Sequence, residues 1–185
     1  MRDKRTSYKL CLLGITALSC WVCTNLVIFA YQLGYKNFYQ LLVLKLQMIS
    51  IWLTVFLLRG LGLGVSSNGF IIDTDSHGRM INIARECSGI NSLTALTVIA
   101  ALIVLYYCKA GWKGKLQVYL SFVPIAIIGN TLRIMSNAVV KACGVDPGLA
   151  DLVHDLSGWI YYALDIVLIC LVGKLAEMAY PKKQK

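Results

Sequence analysis

The stretch Leu116–Val140 reads LQVYLSFVPIAIIGNTLRIMSNAVV, and its two halves make different demands. It carries no charge before Arg133 and is long enough to cross a bilayer core, which takes roughly 20 mostly apolar residues of helix. Its second half departs from that pattern at Asn130, Arg133 and Asn137. Spacings of three and four put these residues on one helical face. An arginine at membrane depth costs at least a few kcal/mol and normally faces a polar cavity. Two amides and a guanidinium make a poor lipid surface and a good lining for a site. One stretch therefore implies both a membrane protein and a polar interior.

The rest of the chain agrees. Of 185 residues, 58% are hydrophobic and only 15% charged, with a mean hydropathy of +0.68. A water-soluble domain of this size would expose apolar surface it cannot cover. Four further segments approach membrane length: Leu10–Gln32, Leu41–Leu58, Ile90–Tyr107 and Leu156–Leu175. The first is uncharged from Leu10 to Tyr35 and is read as a retained span, not a cleaved signal peptide. The second is the weakest, because Lys45 and Arg59 leave only Leu46–Leu58 uncharged. Five complete spans put the N-terminus outside, against the charge of Arg2, Lys4, Arg5 and Lys9. A re-entrant second segment returns it to the cytoplasm. The expected fold is an all-α polytopic membrane protein of four to five transmembrane helices, forming one domain over residues 1–185.

Eighteen basic residues against nine acidic ones give a net charge of +9. The cations gather at segment ends, in Met1–Lys9, Lys109–Lys115 and Pro181–Lys185, which implies contact with anionic lipid and a topology signal. No nucleic-acid module is present, so no nucleic-acid partner is expected. The basic clusters around Lys113 and Lys183 fall on one side if the fourth and fifth segments form a hairpin. That side is the cytoplasm by the positive-inside rule. Cys87, the end of the fourth segment and His154 then face the extracytoplasmic side. Tyr106, Tyr107, Trp112, Trp159, Tyr161 and Tyr162 fit the two aromatic belts. Within Gly60–Glu86, turn residues at Ser67-Asn68-Gly69 and Asp75-Ser76-His77-Gly78 flank the β-prone runs Phe70-Ile71-Ile72 and Met80-Ile81-Asn82-Ile83. These predict a small extracytoplasmic β-hairpin leading to Cys87. It serves either as a wall for an extended peptide or as a plain connector.

Three residues carry the chemistry. Cys87 stands in Glu86-Cys87-Ser88-Gly89-Ile90, at the start of an apolar helix whose N-terminal N–H groups favour a thiolate. Ser88 and Gly89 are small enough to admit a substrate carbonyl. Arg133 can stabilise the thiolate, hold an oxyanion or clamp a carboxylate. His154 begins the last helix, beside Asp151 and Asp155, with Gly158 one turn on. Its near-neutral pKa suits a base that activates a thiol and an acid that protonates a leaving amine. Asp165, eleven residues further, lies on nearly the same face but roughly 16 Å deeper, as a support for a partner helix or for Arg133. His77 is expected in solvent. Cys11, Cys20, Cys23, Cys108 and Cys170 read as small packing residues. With two histidines and no ligand-spaced cluster, no metal and no other cofactor is expected.

In order, these motifs resemble the exosortase/archaeosortase family. The shared pattern is a β-prone hairpin, then Cys87-Ser88-Gly89-Ile90 opening a helix. Asn130 to Ile134 follows as Asn-x-x-Arg-Ile, and His154 to Gly158 as His-x-x-x-Gly. The match runs from about Gly69 to Gly158 and the helix beyond, with a catalytic core of about residues 65–176. The resemblance implies a membrane cysteine peptidase/transpeptidase that cuts a C-terminal sorting signal of short motif, transmembrane helix and basic tail. It implies Cys87 as nucleophile, His154 as acid/base and Arg133 as oxyanion or substrate stabiliser, with Ser88, Gly89, Asn130, Asn137, Gly158 and Asp165 in support. The implied partners are exported proteins bearing that signal, and the implied location is the cell membrane. Beside the larger members the chain is expected to be little more than the catalytic core, without their extra N-terminal spans, which leaves cleavage motif and acceptor open.

Two rival readings stand beside this one. A membrane thiol-disulfide oxidoreductase would use Cys20 and Cys23, or Cys87 with Cys143. A non-catalytic membrane subunit of a polysaccharide or protein export system would keep its function without the Cys87 thiol.

Overall fold

The computed structural model describes residues 6–19, 21, 38–74, 79–82 and 89–181. Residues 6–19 are helical (α1). There follow α2 (Phe38–Gly60), β1 (Val65–Asn68), β2 (Ile71–Thr74), β3 (Arg79–Asn82), α3 (Ile90–Leu102), α4 (Trp112–Leu120), α5 (Phe122–Ala142) and α6 (Pro147–Ala179). Among the described residues, four helical stretches are long and apolar enough to cross a membrane: Gln40–Gly60, Ile90–Tyr107, Trp112–Ala142 and Gly148–Ala179. The protein is an all-α polytopic membrane protein with a small sheet. The second half of the first apolar segment lies outside the described residues.

Three elements add to the sequence expectation. The second segment, weakest by charge count, is an uninterrupted helix of 23 residues, about 35 Å long. Lys45 does not break it, and Gln47, Ser50 and Thr54 turn their polar groups into the protein. The fourth segment is interrupted at Ser121, between α4 and α5. Pro124 has no N–H to give the Leu120 carbonyl, and Ser19 Oγ donates to that oxygen at 2.8 Å instead. The last helix starts earlier than His154. Asp146 caps it, accepting from Gly148 N at 3.0 Å, with Pro147 at the first helical position. His154 thus sits two turns inside α6.

The predicted hairpin is present and extended to an antiparallel sheet ordered β1-β2-β3. Val65 pairs with Thr74 and Asn68 with Ile71, while Ile71 pairs with Asn82 and Thr74 with Arg79. Gly69 and Phe70 form the two-residue turn, and Gly69 has φ +61°, as a primed hairpin turn requires. β1 escaped the sequence reading because Val65 is its one apolar residue. It is held instead by pairing to β2 and by Arg59 Nε donating to Val65 O at 2.8 Å. The loop with His77 lies outside the described residues.

The chain divides into two compact units. The first comprises Met1–Gly34, Leu93–Ala126 and Leu164–Lys185. Leu96, Ala100, Val118, Ile169 and Ala176 are buried there. Backbone contacts hold it together as well: Gly111 N donates to Tyr180 O at 2.7 Å, and Lys109 N to Glu177 Oε1 at 2.8 Å. The second comprises Tyr35–Ser92 and Ile127–Ala163. Its apolar core joins Ile51, Val55 and Leu58 of α2 to Val65 and Ile72 of the sheet and to Ile134 and Ala138 of α5. α2 ends in a Schellman turn, with Gly62 at φ +81° and Leu63 N donating to Leu58 O at 3.1 Å. That turn returns the chain into β1.

Candidate active site

All the described polar residues of interest but Asp165 belong to the second unit. On α5, Asn130 (5% exposed) and Asn137 (8% exposed) are buried, with Arg133 half-buried between them. Asn130 Nδ2 donates to Ser50 Oγ of α2 at 3.0 Å. One turn on, Arg133 Nη2 lies 3.2 Å from His154 Nε2 of α6. On the other side of the same imidazole, Asn137 Nδ2 lies 3.2 Å from Nδ1. The three-and-four spacing thus delivers three side chains to two partner helices from one face of α5.

Two glycines make the approach possible. Gly89, just before α3, has φ +77°, and a Cβ there would come within 2.8 Å of Asn130 Cγ. Any side chain at Gly89 would be strained in its backbone and would collide with the amide. Gly158 lies one turn after His154 on α6, and a Cβ there would stand 3.2 Å from Arg133 Cζ and 3.3 Å from Nε. The guanidinium is therefore seated against the bare backbone of α6, beside the imidazole. What the sequence reads as room for a helix or a substrate is room for Arg133.

Cys87 and Ser88 lie outside the described residues, while Gly89 and Ile90 after them are buried. Asn130, Arg133, Asn137, His154, Gly158 and Gly89 are brought together. Asp165 is buried at 3% exposure and falls in the first unit. Of the cysteines in the rival readings, Cys20, Cys23 and Cys87 lie outside the described residues and Cys143 is exposed. Cys108 is buried, whereas Cys11 and Cys170 are exposed rather than packed inside the protein.

Sequence reading missed a second polar stripe. Gln47, Ser50 and Thr54 of α2 are 4%, 2% and 0% exposed. Thr54 Oγ1 donates to Ser50 O at 2.8 Å and approaches Thr131 O at 3.3 Å. Their spacing is three and four, the same as on α5, and was the available signal. Ser157, also buried, donates from Oγ to His154 O at 2.8 Å.

Chemically, the cluster offers a fixed cation and an imidazole able to move a proton, backed by amides and hydroxyls. Arg133 Nε is buried and has no hydrogen-bond partner among the described residues. The sequence pattern of one family, described as Transmembrane exosortase (Exosortase_EpsH), matches residues 6–171. No curated protein and no solved structure matches the chain.

Proposed function

We propose, from the premise that the chain belongs to the transmembrane exosortase family, that it is a cysteine peptidase or transpeptidase of the cell membrane, working at the extracytoplasmic face. The observation that carries this reading is the contact of Arg133 with His154 beside the Asn130 that seats Gly89. Gly89 stands two residues after Cys87 in the chain. A membrane anchor has no use for a guanidinium and an imidazole in contact on its inner helix faces.

The substrate is an exported protein with a C-terminal sorting signal, presented beside its own transmembrane helix. His154 takes the Cys87 proton, and the thiolate sulfur attacks the backbone carbonyl carbon. The guanidinium of Arg133 leaves His154 for the carbonyl oxygen as that oxygen becomes an anion. When the tetrahedral intermediate collapses, the C–N bond breaks, and His154 returns its proton to the leaving amine. A thioester remains on Cys87. An amine, a hydroxyl or water then attacks the thioester carbon and loses its proton to His154, and the thiolate departs. The balance requires no cofactor.

The test is intact-protein mass spectrometry after treating membranes with a thiol reagent that cannot cross them. Wild type is compared with Cys87→Ala, Arg133→Ala and His154→Ala across pH. The expected result is rapid labelling that vanishes in Cys87→Ala. Its apparent pKa should lie well below ~8.5 and rise in either partner variant. Slow labelling at an ordinary thiol pKa, indifferent to both partners, removes the nucleophile and favours a non-catalytic membrane subunit.

A further inference from the structure

Both ring nitrogens of His154 have a partner at the same distance, and the two partners cannot be treated alike. A guanidinium only donates hydrogen bonds, and a neutral imidazole carries one N–H and one lone pair. For Arg133 Nη2 to donate to Nε2 across 3.2 Å, Nε2 must hold the lone pair and Nδ1 the proton. A doubly protonated ring would set N–H against N–H there. The Nδ1–H group then needs an acceptor, and the group facing it at 3.2 Å is the Asn137 amide. An amide nitrogen does not accept. A half-turn of that amide exchanges Nδ2 with Oδ1, which have almost the same shape, and brings the oxygen onto Nδ1–H. As placed, Asn137 Oδ1 is buried and has no hydrogen-bond partner among the described residues. The turn gives that oxygen its partner.

We propose that Asn137 is a positioning residue whose side-chain oxygen holds the ring proton of His154 on Nδ1. The lone pair is thereby kept on Nε2, the nitrogen beside Arg133. The inference rests on the proposed acid/base role of His154 for its consequence, since proton uptake from Cys87 needs a lone pair at a defined place. Without Asn137 the ring can turn over or move its proton, and the reactive nitrogen is lost for part of the population. A hydrophobic residue at this position would satisfy packing equally well and would remove that acceptor from Nδ1–H.

The test reads the tautomer directly. The full chain, labelled with ¹⁵N-histidine, is studied by solid-state NMR in phospholipid vesicles at pH about 8, above the ordinary histidine pKa of ~6.5. The chain has two histidines, so His77→Gln leaves the His154 signals alone. The expected spectrum shows a protonated Nδ1 and an unprotonated Nε2. Asn137→Leu should give a mixture of tautomers, and Asn137→Asp, which keeps an acceptor, should restore the single form. A proton on Nε2 in the wild type overturns the proposal. So does a wild-type spectrum that Asn137→Leu leaves unchanged. All spectra are taken with Cys87→Ala, which removes the thiol proton that His154 is proposed to accept, so failure of the transpeptidase reading is seen separately in the thiol labelling.

Discussion

The two compact units differ in what their polar side chains meet. In the first, they close backbone gaps. Ser19 answers the Leu120 carbonyl that Pro124 leaves open, and Glu177 answers the Lys109 N–H. Both of these contacts are made to a neighbour's main chain. In the second, polar side chains meet other side chains: Ser50 with Asn130, Arg133 and Asn137 with His154. Main-chain gaps need closing wherever a helix breaks. Buried side-chain networks carry large penalties if one member is missing, and the proposed chemistry draws on the one in the second unit.

Removing the cation should break this contrast most severely. Arg133→Ala should raise the apparent pKa of Cys87 by about two units and slow its labelling near pH ~6 about a hundredfold. Thiol-labelling rates across pH check this. Gly89→Ala should come next. It forces a Cβ onto Asn130 at 2.8 Å in a backbone with φ +77°, for about 1–3 kcal/mol of lost stability. Unfolding in denaturing detergent measures the loss, and labelling of Cys87 should fall with it.

A matched pair of serines sharpens the comparison. Ser50→Ala removes the acceptor of a buried amide and should cost about 1–3 kcal/mol, with slower Cys87 labelling. Ser19→Ala removes a donor to one carbonyl and should cost about 1 kcal/mol, with labelling unchanged. If both variants alter labelling equally, the division of roles between the units is wrong. The smallest effect belongs to Lys174→Ala. Its ion pair with Glu177 spans 3.5 Å, with the Lys174 side chain 76% exposed, and the loss should stay below about 0.5 kcal/mol by the same unfolding measurement.

Legibility followed chemistry that is local to the chain. Membrane character, most of the helices and the strands β2 and β3 were readable from apolar runs and turn residues. The face formed by Asn130, Arg133 and Asn137 was readable because helical spacing is a property of sequence. β1 was not, because Ser66, Ser67 and Asn68 join the sheet through backbone pairing, which leaves no hydrophobic signature. The start of α6 is not marked by hydrophobicity, because the Asp146-Pro147 cap sets it. Asp165 shares a helix face with His154 by spacing alone, which says nothing of the neighbours that bury it.

By itself, then, the sequence determined that the chain lives in a membrane, and that Arg133 and His154 stand on helices where lipid would be a poor partner. Hydrophobic burial and helical periodicity are sums over neighbours in the chain, so they can be read along it. Only the tertiary structure decided what those groups touch. It set Ser50 under Asn130, Gly158 under the guanidinium and the Asn137 amide against the imidazole. Such contacts depend on the fit of helices distant in sequence, where the absence of one Cβ decides whether two side chains meet.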